Sequence, residues 1–331
     1  MSVTIKDIAK SLGVSYSTVS RALNNKPGVS KKTRERIIEQ AKKMGYQPND
    51  MARGLVKKRT KTIGVVIPDI ANSFFGEVTQ GIIDTANENG YTILLCISNW
   101  DFDIEKKHLK TLLEKRVDGI ILKPAKDDVD EKYFSKINVP FILLEGWQGD
   151  KSCSYVKVDN EKGGYMATKY LIERGYQNIA YAGGKKEAHS NLERVEGYIK
   201  ALKEHGRKVE RELIRHNDFT VSGGYKLAEE LLNSHNKVDA IFAGNDVIAL
   251  GILHYAATHG YKVPDQLGVI GFDDIFYAEF HQIQLTTIRQ PKYLLGKNTL
   301  ELLLQEIRDD EDRVNKAMIL EPKLIVRKTT R

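Results

Sequence analysis

Thr4-Ile5-Lys6-Asp7-Ile8-Ala9-Lys10-Ser11-Leu12-Gly13-Val14-Ser15-Tyr16-Ser17-Thr18-Val19-Ser20-Arg21 opens the chain with two short helical patterns separated by one glycine. Thr4 with Asp7 fits a capping box, and Ile5, Ile8, Ala9 and Leu12 then share a helical face. Gly13 breaks the helix, because only glycine enters the left-handed turn without a Cβ penalty. Ser15 is the N-cap expected for a second helix, Tyr16 to Asn24, with Val14, Val19 and Leu23 as its apolar contacts. A third helix is expected from Ser30, with Ile37, Ile38, Ala41 and Met44 turned inward, ending at Gly45. Three short helices with a tight glycine turn between the first two spell a helix-turn-helix.

Charge supports that reading. Of 331 residues, the first 60 hold 14 Lys/Arg and 4 Asp/Glu, and the remainder holds 37 and 40. The whole positive excess therefore sits in the first fifth, as in a nucleic-acid-binding module joined to a near-neutral body. In a helix-turn-helix the second helix enters the major groove N-terminus first. Tyr16, Ser17 and Arg21 are the side chains expected on base edges, arginine being suited to forked contacts with guanine. Thr18, Ser20, Asn24, Ser30 and Thr33 are placed to meet phosphates, and Thr4 and Ser15 belong to the same surface. Alternatively, Tyr16 packs on the third helix and the hydroxyls are plain caps.

Pro48 then starts a segment of about nine residues, Asn49 to Lys57, with Gly54 inside. A helix shorter than about 12 residues is marginal in water, so this stretch is expected to fold only against a partner. Leu55 has no obvious core to join and suits a wedge between base steps; the alternative is a plain linker.

These residues carry a resemblance. Val3 to Lys10, Gly13-Val14-Ser15, Thr18 to Arg21, Gly45 to Asn49 and Ala52-Arg53-Gly54-Leu55 closely resemble the LacI/GalR family of bacterial repressors, and the resemblance runs the length of the chain. It implies a hinge helix at residues 49–57 that forms on DNA, contacts from Asn49 and Ala52, and Leu55 paired with its twin from a second subunit to open a palindromic operator. It also implies a homodimer.

From Lys61 the pattern changes. Ile63-Gly64-Val65-Val66-Ile67 reads as a buried strand, followed by a helix from about Phe74 to Asn89 and a strand at Thr92–Leu95. Val117 to Leu122 is another strand. Alternating strands and helices predict a parallel α/β sheet. The order recurs: Ile63, Gly81 and Gly90 are matched 116 positions later by Ile179, Gly197 and Gly206, and Val117-Asp118 with Ile120 by Val238-Asp239 with Ile241 at an offset of 121. A duplicated α/β lobe follows. The expected fold is thus α/β: an all-α helix-turn-helix domain (1–46), a hinge (47–60), and a body of two parallel-sheet lobes, 61–160 with 292–321 and 162–290 with 322–331. The resemblance makes that body similar to the periplasmic-binding-protein fold.

Ligands of open α/β sheets bind beyond the carboxyl ends of the strands. Candidates there are Asp69, Asn72, Phe74 and Phe75, Trp100-Asp101, Glu145-Gly146-Trp147, Asn245-Asp246 and Asp273-Asp274. Carboxylates, amides and rings together suit a polyhydroxylated ligand, although single acidic residues there also cap helices. The resemblance implies effector contacts from Phe74, Phe75, Trp147, Arg194, Phe219, Asn245, Asp246, Asp273 and Gln290, to which strand-end position adds Asn72 and Asp101. A sugar or sugar phosphate is the leading ligand class, with a purine-type corepressor as the alternative.

Other classes have less support. A transport-type sugar-binding protein would share the body but not the basic head, and the N-terminus lacks a signal-peptide layout, so a cytoplasmic location is expected. No apolar run reaches membrane length, so no membrane partner is expected. There is no P-loop, nucleophile elbow or His-Glu-x-x-His, the histidines and the two cysteines show no metal-ligand spacing, and neither an enzyme nor a metal or cofactor site is expected.

Overall fold

The computed structural model describes residues 3–46, 59–126, 131–145, 153–235, 237–309 and 315–331. It divides into two compact units, Met1–Thr60 and Lys61–Arg331.

The first unit contains α1 (Ile5–Leu12), α2 (Tyr16–Leu23) and α3 (Lys31–Lys43). The predicted capping box closes both ways: Thr4 N donates to Asp7 Oδ2 at 2.8 Å, and Asp7 N to Thr4 Oγ1 at 3.4 Å. Gly13 takes φ +66° and returns its N–H to the Ala9 carbonyl. Ser15 and Ser30 cap α2 and α3 by accepting from the Thr18 and Thr33 amides. Ile8, Ala9, Val19, Ala22, Ile37 and Ala41 form the core, and Met44 packs against it. Ile38, expected inward, is exposed; it falls one position off the Ile37–Ala41 stripe that the 3.6-residue period turns inward.

The second unit holds two six-stranded sheets. The first is ordered β11-β5-β4-β3-β1-β2 and is parallel throughout: β1 (Thr62–Ile67), β2 (Thr92–Ile97), β3 (Gly119–Leu122), β4 (Phe141–Leu144), β5 (Ser154–Val158) and β11 (Ala317–Leu320). The second is ordered β12-β10-β9-β8-β6-β7: β6 (Ile179–Gly183), β7 (Ile214–His216), β8 (Ala240–Ala243), β9 (Gly268–Asp273), β10 (Thr286–Arg289) and β12 (Lys323–Ile325), with only β12 antiparallel. The duplication read from the glycine and isoleucine spacings is therefore present as two sheets of one order. Central strands β1, β3, β6, β8 and β9 are buried along their length, as expected where helices cover both faces.

Three crossings join the sheets. After β5 the chain enters α7 (Asn160–Glu173), which packs on α8 (His189–Glu204) beside the second sheet. After β10 it enters α11 (Lys292–Arg308), which packs on α4 (Ser73–Glu88) beside the first. The third crossing lies between β11 and β12. Asp118 accepts the Lys61 amide, and its repeat partner Asp239 accepts the Gln177 and Asn178 amides, so the matched Val-Asp pairs pin equivalent strand starts.

Two matched glycines do equivalent work. A Cβ on Gly81 would lie 2.2 Å from the Tyr293 carbonyl oxygen of α11, and one on Gly296 would lie 1.9 Å from that of Val78. Gly197 and Gly164 stand in the same relation between α8 and α7, at 2.0 Å from Glu161 O and 2.3 Å from Arg194 O. Each crossover helix thus approaches its neighbour backbone to backbone. Gly296→Ala is expected to destabilise the body by about 1–3 kcal/mol through forced separation of α4 and α11. Gly76→Ala, in the same helix pair but facing open space, should stabilise it by about 0.5–1 kcal/mol. Urea midpoints of the two variants check this; equal shifts would refute the close-approach argument.

Candidate functional site

A cleft lies between the two sheets at the carboxyl ends of their strands, with an empty volume of ≈ 640 Å³ including its mouth. From the first sheet, its wall receives Asp69, Asn72, Phe74 and Phe75 after β1, Trp100 after β2, Lys123 after β3 and Glu145 after β4. From the second come Ala188, Ser190 and Arg194 after β6, Phe219 after β7, Asn245 after β8, Asp273 at the end of β9 and Gln290 after β10. The parallel order puts every one of these at one edge, because each strand runs the same way before its loop.

Arg194 is buried on α8. Its Nε donates to Asn160 Oδ1 at 2.9 Å and one terminal nitrogen to the Gly244 carbonyl at 2.6 Å, while the guanidinium lies 3.8 Å from the Phe272 ring centroid. A planar, multidentate cation held on two sides keeps a fixed direction. Asp273, at φ +115°, accepts from Gln290 Nε2 at 2.6 Å. Burial pushes its carboxyl above the usual range, and the Arg194 charge opposes that. Gln290 is only 2% exposed, and its Oε1 has no hydrogen-bond partner among the described residues. A buried acceptor left open in a cleft wall calls for a donor such as a hydroxyl.

Glu145 accepts the Val158 amide at 3.0 Å and Asn160 Nδ2 at 3.3 Å. Burial raises its pKa, with the Lys123 and Arg194 charges opposing. Lys157 of β5 pairs with Glu193 of α8, beside Arg194, and Asn160 also donates to Glu193 Oε2 at 3.3 Å. Side chains from both sheets therefore meet at the first crossing, directly behind the cleft.

Of the effector contacts expected from sequence, Asn72, Phe74, Phe75, Arg194, Phe219, Asn245, Asp273 and Gln290 line the cleft. Trp147 lies outside the described residues. Asp101 and Asp246 are corrections, since neither lines it. Asp101 caps α5 (Phe102–Glu114), accepting the Asp103 and Ile104 amides at 2.7 and 3.0 Å, and its neighbour Trp100 is in the wall instead. Asp246, fully buried at the start of α10 (Asp246–Thr258), accepts the Ile275 amide at 2.8 Å and the Thr287 hydroxyl at 2.5 Å. Burial and then the Asp273 charge raise its pKa. Lys123 and Ser190 were not singled out in the sequence; the position of Lys123, directly after a buried strand, was the available signal.

On the helix-turn-helix, Tyr16 is 55% exposed, so it does not pack on α3; Ser17 and Arg21 are exposed on the same helix. Thr4, Ser15 and Ser30 serve as caps; Thr18, Ser20, Asn24 and Thr33 are half-buried, and Asn24 Nδ2 donates to the Ser20 carbonyl. Asn49, Ala52 and Leu55 lie outside the described residues. No group of three or more possible metal ligands occurs among the described residues, and none of their helices is long and apolar enough to cross a membrane.

The geometry makes Asp246 a fold residue and Asp273 a cleft residue. Asp246→Ala strips two buried donors of their acceptor and is expected to lower stability by about 2–3 kcal/mol in chemical denaturation. A variant as stable as the parent would return Asp246 to the candidate contacts.

Residues 60–326 match the family described as periplasmic binding proteins and sugar binding domain of LacI family, and residues 4–49 match bacterial regulatory proteins, lacI family. The chain is 38% identical over 307 residues to catabolite control protein A of Priestia megaterium, covering 92% of each. It superposes on the lac repressor dimer bound to operator and the anti-inducer ONPF with TM-score 0.88 and 27% identity, over 100% of this chain and 99% of that one. A LacI family transcriptional regulator from Enterococcus faecium with bound ribose is 31% identical, over 81% and 98% of the two chains, with TM-score 0.72. Basic three-helix head, duplicated body and matched families agree: this chain belongs to the LacI family and is a DNA-binding transcription regulator.

Proposed function

We propose that the protein is a homodimeric repressor acting in the cytoplasm, whose affinity for a palindromic operator is switched by a sugar bound between lobes 61–160 with 292–321 and 162–290 with 322–331. The observation that carries this reading is the cleft wall, where fixed Arg194 and Asp273 and the open acceptor of Gln290 stand among Phe74, Phe75 and Phe219. Polar groups beside apolar rings in one wall match a ligand with hydroxyls at the rim of an apolar ring face. Three carboxylates, Asp69, Glu145 and Asp273, against the cations Lys123 and Arg194 favour an uncharged sugar over its phosphate. The ribose-bound relative supports the same class. The protein binds and releases this ligand unchanged; no catalytic step enters the reading.

On the DNA side, Tyr16, Ser17 and Arg21 face base edges, Thr18, Ser20, Asn24 and Thr33 face phosphates, and Thr4, Ser15 and Ser30 hold the helix starts against the backbone. Asn49, Ala52 and Leu55 belong to the hinge, residues 47–60, which folds on the operator. Because so short a helix is marginal, a ligand that changes the spacing of two hinges by a small bias of free energy shifts DNA affinity.

The test is a titration of full-length protein with an operator selected from random DNA, with and without sugars. Leu55→Ala should weaken operator binding at least tenfold and leave sugar affinity unchanged. Arg194→Lys should abolish the ligand response and keep operator binding, because lysine cannot span Asn160 and Gly244. Unaltered ligand affinity in Arg194→Lys by calorimetry would sink the pocket assignment. A purine that binds and tightens DNA binding, where no sugar does, would replace the sugar reading.

A further inference from the structure

Ser98-Asn99-Trp100-Asp101 forms a tight turn after β2, closed by the Asp101 amide on the Ser98 carbonyl at 2.9 Å. Both central residues have positive φ, +53° for Asn99 and +59° for Trp100. That backbone belongs to the turn type which favours Asn followed by Gly, and a bulky side chain in its second central position is strained. Strain retained at a cleft edge points to a use for the side chain.

The indole has clear surroundings. Its ring stacks toward Phe219, with centroids 6.4 Å apart and planes 20° from parallel, and meets Phe75 edge-on at 6.2 Å. Phe219 comes from the second sheet, where its ring lies so close to Gly184 that a Cβ there would be 2.1 Å away. Lys185, also on the second-sheet side, stands 5.7 Å from the indole centroid. Trp100 is thus where the first sheet's wall of the cleft reaches the second.

We propose that Trp100 is a specificity-determining residue of the cleft, offering with Phe219 an aromatic surface that selects a ring sugar with an apolar C–H face. A pyranose with equatorial hydroxyls presents such a face to an indole and keeps its hydroxyls at the rim for Asp273 and Gln290. An open-chain polyol has the same hydroxyls but no fixed face, and a phosphorylated sugar adds charge beside Glu145 and Asp273. The inference rests on the sugar reading and narrows it.

The experiment uses full-length protein and calorimetry with D-glucose, D-galactose, D-ribose, cellobiose, D-glucitol and glucose 6-phosphate. Trp100→Gly creates the Asn-Gly pair that the turn favours, which offsets part of the packing lost where Trp100 meets the first-sheet core; the variant should still unfold cooperatively, while affinity for the best ring sugar falls at least tenfold. Trp100→Phe should recover that affinity to within about threefold. Trp100→Gly binding within twofold of the parent, or a parent preference for D-glucitol or glucose 6-phosphate, overturns the inference. If Arg194→Lys loses binding and Trp100→Gly does not, the sugar reading stands and the role of Trp100 falls. If the parent binds none of the six, both fall.

Discussion

Asn160 is the side chain on which the body turns. It sits at the first crossing, 1% exposed, and it is bonded on every side. Its Oδ1 accepts from Arg194, and its Nδ2 is within 3.3 Å of Glu145, Glu193 and the Val158 carbonyl. An amide buried this deeply is stable only if both its ends are satisfied, because each unmet group would cost roughly 1–3 kcal/mol. The partners come from the residue after β4, from β5 and from α8, so satisfying one side chain ties the first sheet, the crossover and the helix beside the second sheet together. Arg194 owes its aim to the same bond.

That arrangement makes the back of the cleft precise. Polar groups are held by short bonds at the crossing, while the faces beyond it are separate surfaces of two sheets. The crossover helices are fastened by glycine contacts, Gly81 with Gly296 and Gly164 with Gly197, which tolerate no added atom. Each crossover helix is therefore fixed to the sheet it packs on, and only the short segments between strand and helix link one sheet to the other. Lys292 illustrates the coupling. It is buried at the second crossing, donates to the Asp273 and Asp274 carbonyls, and pairs with Glu77 of α4 at 3.2 Å. Lys292 thereby joins the Asp273 backbone in the cleft wall to α4.

The head and the body differ in how they are held. The helix-turn-helix is a small core of six buried residues with exposed Tyr16, Ser17 and Arg21 on its second helix. Its candidate DNA contacts lie on a surface. The body instead keeps its polar groups in an interior, where burial moves the pKa values of Glu145 and Asp273 upward and Gln290 Oε1 has no partner among the described residues. In the proposed switch, a modest change in the body alters the head's hold on DNA.

Local rules were enough for much of this from the residues alone. The capping box at Thr4, the glycine turn at Gly13 and the charge asymmetry identify the head, because caps, turns and net charge depend only on near neighbours. The duplicated spacing of Gly81 and Gly197 reveals two like lobes, because both glycines answer the same close approach of helices. Strand-end position found most of the cleft wall. What the residues could not tell was which of two adjacent polar or aromatic side chains turns inward. Asp101 caps a helix while Trp100 enters the cleft, and Asp246 is consumed by the fold while its neighbour Asn245 lines the cavity. That choice depends on backbone dihedrals at single turns and on donors brought from β10 and the loop after β9, partners distant in sequence that only the packed structure supplies.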